Sequence, residues 1–452
     1  MSMRFTAPLR LSPEPSHPAY SDATAAPLDY RLDSPAVRQP RFDGRLSITP
    51  DINLSAYTCR AVVDWIWLEF ETASVAQSEK LSGYLHRELL RRRPKVTGPD
   101  KPHNARGLWN HTGTRFRVTV QDPDPREIWH LEAVLRAYRG LVGPVRLIGI
   151  EVALDWYARS RSHEDRWAMV GTLHRHHLPL IDGLGTPWAD LRHTYTRPTA
   201  IVGEGEGSET EFVIHDRRWI VEGKPDRGRV FSDLALENPL ARERVLRLEG
   251  HRAPYLDSVV YRGPEQGPVM FRLQNKVSDG RYPAKGTLTW LSPKESRARV
   301  EVMLLQKAVA GVGLETVRDL IGYGFTDLRK DRFAFRLATV PGGIRQDGRA
   351  PSPRDLLMAG RLQDVFAESG VYGTWLYEEA VRLRQEEHRR ERKAMEGEVM
   401  RKRPVYRGEA RKLAAWKQMN KRAVDAFDRL GVRWSREAIE RRLAMFMPSD
   451  AA

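Results

Sequence analysis

Residues 145–157 read VRLIGIEVALDWY, a run dense in β-branched, leucine and aromatic side chains with a glycine but no proline. That composition predicts a strand, the most strand-like in the chain. Successive strand side chains point to opposite faces, so Glu151 and Asp155 share one face while Val152 and Leu154 take the other. Working back toward the N-terminus, REIWHLEAVLRAYRG (126–140) has helical spacing and stops at Gly140, and TRFRVTV (114–120) is a strand. In VAQSEKLSGYLHRELLRRR (75–93), Leu81, Tyr84, Leu85 and Leu89 recur at helical spacing and arginines end the segment where they suit the dipole. AVVDWIWLEFETA (61–73) supplies the first core strand. The order is strand, helix, strand, helix, strand.

Working forward, HEDRWAMVGTLHRHHLPL (163–180) is helix-like, and three further strands are expected in LDSVVYRG (256–263), PVMFRLQNKV (268–277) and RARVEVMLL (297–305). Together these predict an α+β fold with an antiparallel-type sheet and helices on one face. Residues 1–50 carry Pro, Ser, Asp and Arg without period and read as a flexible arm; 51–341 form the α+β domain; 342–452 form a basic helical region, with RRERK at 389–393 and RKR at 401–403. The segment around Gly431 has a helix, turn, helix outline, suited either to DNA or to an oligomer contact through Trp416, Phe427 and Leu430.

The 452 residues exceed one ordinary core, so two or three units are expected. The formal charge of +15 favours a polyanionic partner, nucleic acid being the commonest. A single cysteine, Cys59, excludes an internal disulfide framework and Cys-rich zinc sites, and fits the reducing cytoplasm. No apolar run approaches the roughly 20 residues that span a bilayer, and neither a P-loop nor an H-E-x-x-H or G-x-S-x-G motif is present. Membrane partners and nucleotide sites of those types are therefore not expected. The histidines of LHRHHLPL (His174, His176, His177) lack the spacing of a metal pair on a strand and read as a surface cluster.

Acids inside an apolar strand cost desolvation and mutual repulsion unless a cation lies among them. Glu151 and Asp155 are one such pair, and Glu301 interrupts RARVEVMLL in the same way. The cation could be a hard divalent metal, Mg²⁺ or Mn²⁺, or an arginine such as Arg299 or Arg146.

These segments resemble the plasmid and phage rolling-circle replication initiators. In that family a strand with spaced acids is followed by an aromatic strand ending in lysine and then by an Arg-Val-Glu strand. Here RLIGIEVALDW, VVYRGPEQGPVMFRLQNK and RARVEVML occur in that order. The resemblance implies a nuclease-like core, Glu151, Asp155 and Glu301 as metal ligands, and Lys276 as the lysine that ends the second motif. It further implies an origin-specific nick made by a tyrosine, leaving a 5′-phosphotyrosine and a free 3′-hydroxyl, with a helicase of the host as partner. The expected tyrosine position holds Gln274, which leaves Tyr261, Tyr282 and Tyr323 as nucleophile candidates, Tyr282 foremost because it lies in GRYPAKG. A DNA-binding regulator of the same fold without a nucleophile, and a basic partner-binding protein, are the readings from other classes.

Overall fold

In the computed structural model the described residues are 4–7, 28–35, 39–99, 110–179, 201–204, 209–214, 217–222, 259–262, 267–282, 287–396 and 412–444. In chain order the strands are β1 (Arg4–Ala7), β2 (Leu28–Asp33), β3 (Arg45–Pro50), β4 (Tyr57–Gln77), β5 (Lys95–Thr97), β6 (Thr112–Gln121), β7 (Val142–Ala158), β8 (Ile201–Glu204), β9 (Glu209–Ile214), β10 (Arg217–Glu222), β11 (Val259–Arg262), β12 (Val269–Lys276), β13 (Ser278–Tyr282), β14 (Thr287–Trp290), β15 (Arg297–Leu305), β16 (Arg336–Pro341) and β17 (Leu413–Ala415). The helices are α1 (Ser78–Glu88), α2 (Pro125–Arg139), α3 (His163–His176), α4 (Lys307–Ala310), α5 (Phe325–Lys330), α6 (Pro353–Met395), α7 (Lys417–Arg433) and α8 (Arg436–Ala444).

The protein is mixed α and β, and the pairings in its central seven-stranded sheet are antiparallel, in the order β11-β12-β15-β7-β4-β6-β5. β7 lies at its centre because it is apolar on one face throughout: Ile150, Val152, Leu154 and Trp156 are buried. They meet Val300, Val302 and Leu304 of β15 and Val63, Ile66 and Leu68 of β4 in one core. α1, α2, α3 and α7 all bury their apolar stripes in this core, through Leu81 and Leu85, Ile128 and Leu131, Met169 and Leu173, and Met419 and Phe427. The helices of the described residues that join this core thus cover one face of the sheet. Asp124 caps α2 in a capping box with Glu127, which sets the turn out of β6.

A second sheet, β1-β2-β3-β16-β17, packs against α6 around Tyr30, Leu32, Ile48, Val340 and Phe366. Residues 4–7, 28–33 and 45–50 of the expected arm are strands here, because each finds pairing partners, β3 with β2 and with β16 almost 300 residues later. Neither does the region after 342 stand apart. α6 packs against β16, while α7 places Phe427, Leu430 and Trp434 in the central core. Trp416, Phe427 and Leu430 are buried there, so they offer no surface to a second subunit and the oligomer contact expected through them is corrected. α7 runs unbroken through Gly431, and the turn lies at Trp434–Ser435 before α8.

α3 ends in buried histidines, which corrects the surface cluster. His176 Nδ1 lies 2.7 Å from the Arg336 carbonyl oxygen and His177 Nε2 lies 2.8 Å from that of Arg332. These partners lie some 160 residues downstream and supply the hydrogen bonds that burial demands. The His176 ring touches Trp416 of the first core at 4.8 Å and Phe366 of the second at 5.4 Å, so it joins the two cores. In α6, Gly370 has φ +66° and approaches the Arg175 backbone so closely that a Cβ would stand 2.4 Å from the Arg175 Cα. Arg389–Lys393 lie near the exposed end of α6, where Arg392 faces Glu396 at 3.8 Å, an ordinary solvated i,i+4 pair. Arg401–Arg403 fall outside the described residues. Among the described residues no helix is long and apolar enough to cross a membrane.

Candidate functional site

The sheet face opposite the helices carries the charge. On β7, Glu151, Ala153, Asp155 and Tyr157 alternate onto it; on β15, Arg297, Arg299 and Glu301; on β12, Arg272, Gln274 and Lys276. Register aligns these rows: Arg299 stands opposite Asp155, Glu301 opposite Ala153 and Arg272 opposite Glu301. β4 adds Asp64. Its pairing with β7 shifts between Val63 and Trp65, and this bulge carries the Asp64 carboxylate to Arg299.

Asp64, Glu151 and Glu301 are all buried and each offers a carboxylate oxygen within 4.8 Å of the others. Asp155 belongs to a different arrangement. Arg299, 1 % exposed, donates from Nε to Asp155 Oδ1 at 2.5 Å and from its second terminal nitrogen to Oδ2 at 2.8 Å, while Nη1 donates to Asp64 Oδ2 at 2.8 Å. Arg297 lies 3.1 Å from Asp155 as well. Arg272 contacts Glu301 and stands 3.4 Å from Glu151, and Gln274 Nε2 donates to Glu301 Oε2 at 3.1 Å. Arg146 is not part of this network; it pairs with Glu69 at 3.3 Å.

Of the three acids without a bidentate partner, Glu151 and Asp64 are pushed apart electrostatically. Burial pushes Glu151 up to about 7 against the pull of Arg272, and the neighbouring Asp64 carboxylate adds to the rise. Burial also opposes ionisation of Asp64, yet Arg299, with Lys276 and Arg272, holds it down to about 2. A hydrogen bond between Glu151 and Asp64 raises the pKa of Glu151 and lowers that of Asp64. Glu151 is thus the acid that holds its proton to higher pH and Asp64 the one that gives it up first. Burial would discharge Arg299, but Asp155 and Asp64 hold it firmly charged.

Of the sequence candidates, Glu151, Asp155, Glu301 and Lys276 stand on one sheet face. Tyr261 and Tyr282 lie on β11 and β13; Tyr261 sits opposite Arg272 in register, and the side chains of both fall outside the described residues. Tyr323 is placed elsewhere. Its hydroxyl donates to the Val312 carbonyl at 2.8 Å, its ring packs on Phe325, and burial pushes its pKa up to about 12.

Asp64, Tyr157 and Arg272 are among the site residues that escaped sequence reading. Asp64 interrupts AVVDWIW as Glu301 interrupts RARVEVMLL, so the same rule would have found it. Tyr157 follows Asp155 by two and therefore shares its face. Its hydroxyl donates to Asp155 Oδ2 at 3.4 Å, and the guanidinium groups of Arg60 and Arg297 each lie 5.8 Å from its ring centroid. Burial raises the Tyr157 pKa, Asp155 raises it further, and Arg297, Arg299 and Arg60 oppose both.

Three carboxylates on one face, with oxygen as their only donor atom, suit a hard divalent cation. Such an ion would have to displace Arg272, since that guanidinium already engages Glu301 and Glu151. As it stands the cluster is a buried network in which arginine supplies the positive charge.

No family model and no curated protein matches the chain. Among solved structures it is similar to the 3-hydroxy-3-methylglutaryl-coenzyme A reductase of Streptococcus pneumoniae, at 9% identity and a TM-score of 0.16, over 84% of this chain and 85% of that one. A second structure, the class II reductase of the same organism bound to NADPH in open conformations, gives 9% identity and a TM-score of 0.15 over 84% of this chain and 76% of that one. A likeness at such TM-scores transfers neither fold nor function to this chain.

Proposed function

We propose that this protein acts on DNA by phosphoryl transfer, nicking and rejoining one strand at the carboxylate and arginine face of the central sheet, as an initiator of plasmid or phage replication would. The observation that carries this reading is the convergence of Asp64, Glu151 and Glu301 beside Arg272 and Arg299, with the Tyr157 hydroxyl on the adjoining Asp155. Arg272, whose side chain is partly exposed, is suited to bind and orient a phosphodiester, since a guanidinium fork matches two phosphate oxygens, while buried Arg299 holds Asp155 and Asp64 in place. Asp64, Glu151 and Glu301 would hold Mg²⁺ or Mn²⁺, which supplies charge to polarise the scissile phosphate.

In this chemistry the tyrosine oxygen attacks phosphorus, the P–O3′ bond breaks, and the tyrosine proton passes to the departing 3′-oxygen. Tyr157 joins Tyr261 and Tyr282 as the candidate nucleophile. Arg60 and Arg297 flank its ring and offset part of the rise in its pKa that burial and Asp155 cause, while Asp155 positions the hydroxyl.

The bidentate Arg299–Asp155 pair favours a second reading, a DNA-binding regulator in which the network is structural and no strand is cut. Supercoiled DNA carrying the candidate origin, incubated with Mn²⁺, separates the two. Nicked circles with a detergent-resistant protein adduct, both lost in one of Tyr157→Phe, Tyr261→Phe or Tyr282→Phe, support nicking. Tight binding with no adduct under Mg²⁺ or Mn²⁺ leaves the regulator, and no binding at all ends both.

A further inference from the structure

The first half of β4 has β7 on one side only, because β6 begins its pairing at Trp65. α7 lies along that open edge. Between them is a cleft of about 510 Å³ lined by Arg60, Arg159, Arg422, Arg429 and Arg433, with Asp425 as its one acid among the described residues. Arg422 and Arg429 each donate to a strand carbonyl, of Tyr57 at 3.3 Å and Cys59 at 3.0 Å, which covers the edge and fixes their position. Each of those contacts uses one of the five N–H donors of a guanidinium.

Five cations against one anion around a concavity far exceed what edge capping requires. Arg422, Arg429 and Arg433 follow one another at helical spacing along one side of α7, a track of roughly 16 Å at about 1.5 Å per residue. A single phosphate group would meet only part of it; a run of consecutive phosphodiesters would meet all of it. A cleft of about 510 Å³ falls in the range of pockets that take a drug-sized ligand, which suits a short stretch of one strand and is too small to enclose a duplex. At its other end the track reaches Arg60, which lies over the ring of Tyr157, itself bonded to Asp155 of the charged face.

We infer that the arginine-lined cleft between β4 and α7 binds the phosphodiester backbone of a single nucleic-acid strand and leads it to the Tyr157 side of the charged sheet face. The inference rests on the nucleic-acid substrate of the proposed function and not on its nicking step. Such a groove tracks the backbone by charge and carries no base preference of its own.

The test is fluorescence anisotropy of a labelled twenty-residue oligothymidylate with the full chain between 50 and 300 mM NaCl. Arg159→Gln combined with Arg433→Gln leaves Arg60 and both carbonyl-capping arginines in place, and exposed Arg354→Gln on α6 is the control. The double variant, with its thermal midpoint unchanged, is expected to bind at least tenfold more weakly at 100 mM NaCl. Its salt slope should fall by about 1.4, at ~0.7 per lost single-strand phosphate contact. The control should match the parent. Unchanged affinity and slope overturn the inference, as does tighter binding of duplex than of single strand. Displacement by inorganic tripolyphosphate as effective as by oligonucleotide, with no dependence on oligonucleotide length, also overturns it, since the site would then serve small polyphosphates. Nicking is scored separately. An adduct formed at parental level by a double variant that binds normally removes the cleft and leaves the nicking reading. Oligothymidylate binding that depends on the cleft, without any adduct in the parent, does the reverse.

Discussion

Replacing Arg299 by Met tests whether arginine or a metal neutralises the charged face. The guanidinium is 1 % exposed and makes contacts of 2.5 and 2.8 Å to Asp155, 2.8 Å to Asp64 and 3.5 Å to Glu301. Its removal leaves three carboxylates buried without it, and breaking a buried pair from one side costs about 3–5 kcal/mol. Against a whole stability of about 5–15 kcal/mol that is a large share, and at ~1 °C per kcal/mol for a chain of 452 residues it lowers the melting midpoint by roughly 3–5 °C. Urea unfolding followed by tryptophan fluorescence measures it, with Trp156 buried beside the site. A cation able to occupy the vacated place should restore part of the loss in Arg299→Met at millimolar Mn²⁺, and do less for the parent, by linkage. A variant within about 0.5 kcal/mol of the parent without metal would refute the reasoning, because the acids would then not be held ionised by Arg299.

Other outcomes follow from the same contacts. Gly370→Ala combines a left-handed backbone with a Cβ 2.4 Å from Arg175 Cα, and should cost about 2–5 kcal/mol by strain and overpacking; a melt within 1 °C of the parent contradicts it. Burial holds His176 down to about 3, against the help of the Arg336 carbonyl. Its folded pKa is thus depressed, so the unfolded chain takes up a proton that the folded chain refuses, and stability present above about 6.5 is lost as pH falls toward 3. Between pH 6.5 and 5 this contributes roughly 2 kcal/mol at about 1.4 kcal/mol per unit; urea midpoints should show a shallower acid loss in His176→Asn, and equal slopes in both proteins count against it. Trp434→Ala should cost about 3–5 kcal/mol and speed hydrogen exchange along β4, whereas loss of protection confined to α7 and α8 would mean that they fold apart from the sheet.

Much of the central sheet is legible because its strands carry local signals: VRLIGIEVALDWY announces a buried strand, and REIWHLEAVLRAYRG shows its apolar stripe and stopping glycine. Glu151, Asp155 and Glu301 stand out because acids in apolar runs are costly. Asp64 obeys the same rule, but the bulge beside it breaks the alternation that would have assigned it a face. What is not legible is long-range pairing. RFTA and LDYRLD are too short to signal strands by themselves and gain their place from each other and from β3. His176 and His177 look like surface residues until Arg336 and Arg332 are seen to offer their carbonyls. Helical spacing from 417 to 433 shows that α7 has an apolar side, but not that β4 receives it.

The dependence of the open edge of β4 on α7 sets an order of events during synthesis. Tyr57 and Cys59 receive their guanidinium caps from residues made hundreds of positions later. With roughly 360 residues between the end of β4 and the end of α7, a ribosome adding ~5–20 residues per second leaves that strand uncovered for roughly 20–70 s. Throughout that interval the nascent chain presents the unpaired edge of residues 57–64, with Tyr57, Thr58, Val62 and Val63 of high strand propensity, able to recruit other chains. Yield on expression should therefore respond to chaperone supply and to growth temperature more than the stability of the finished protein would suggest.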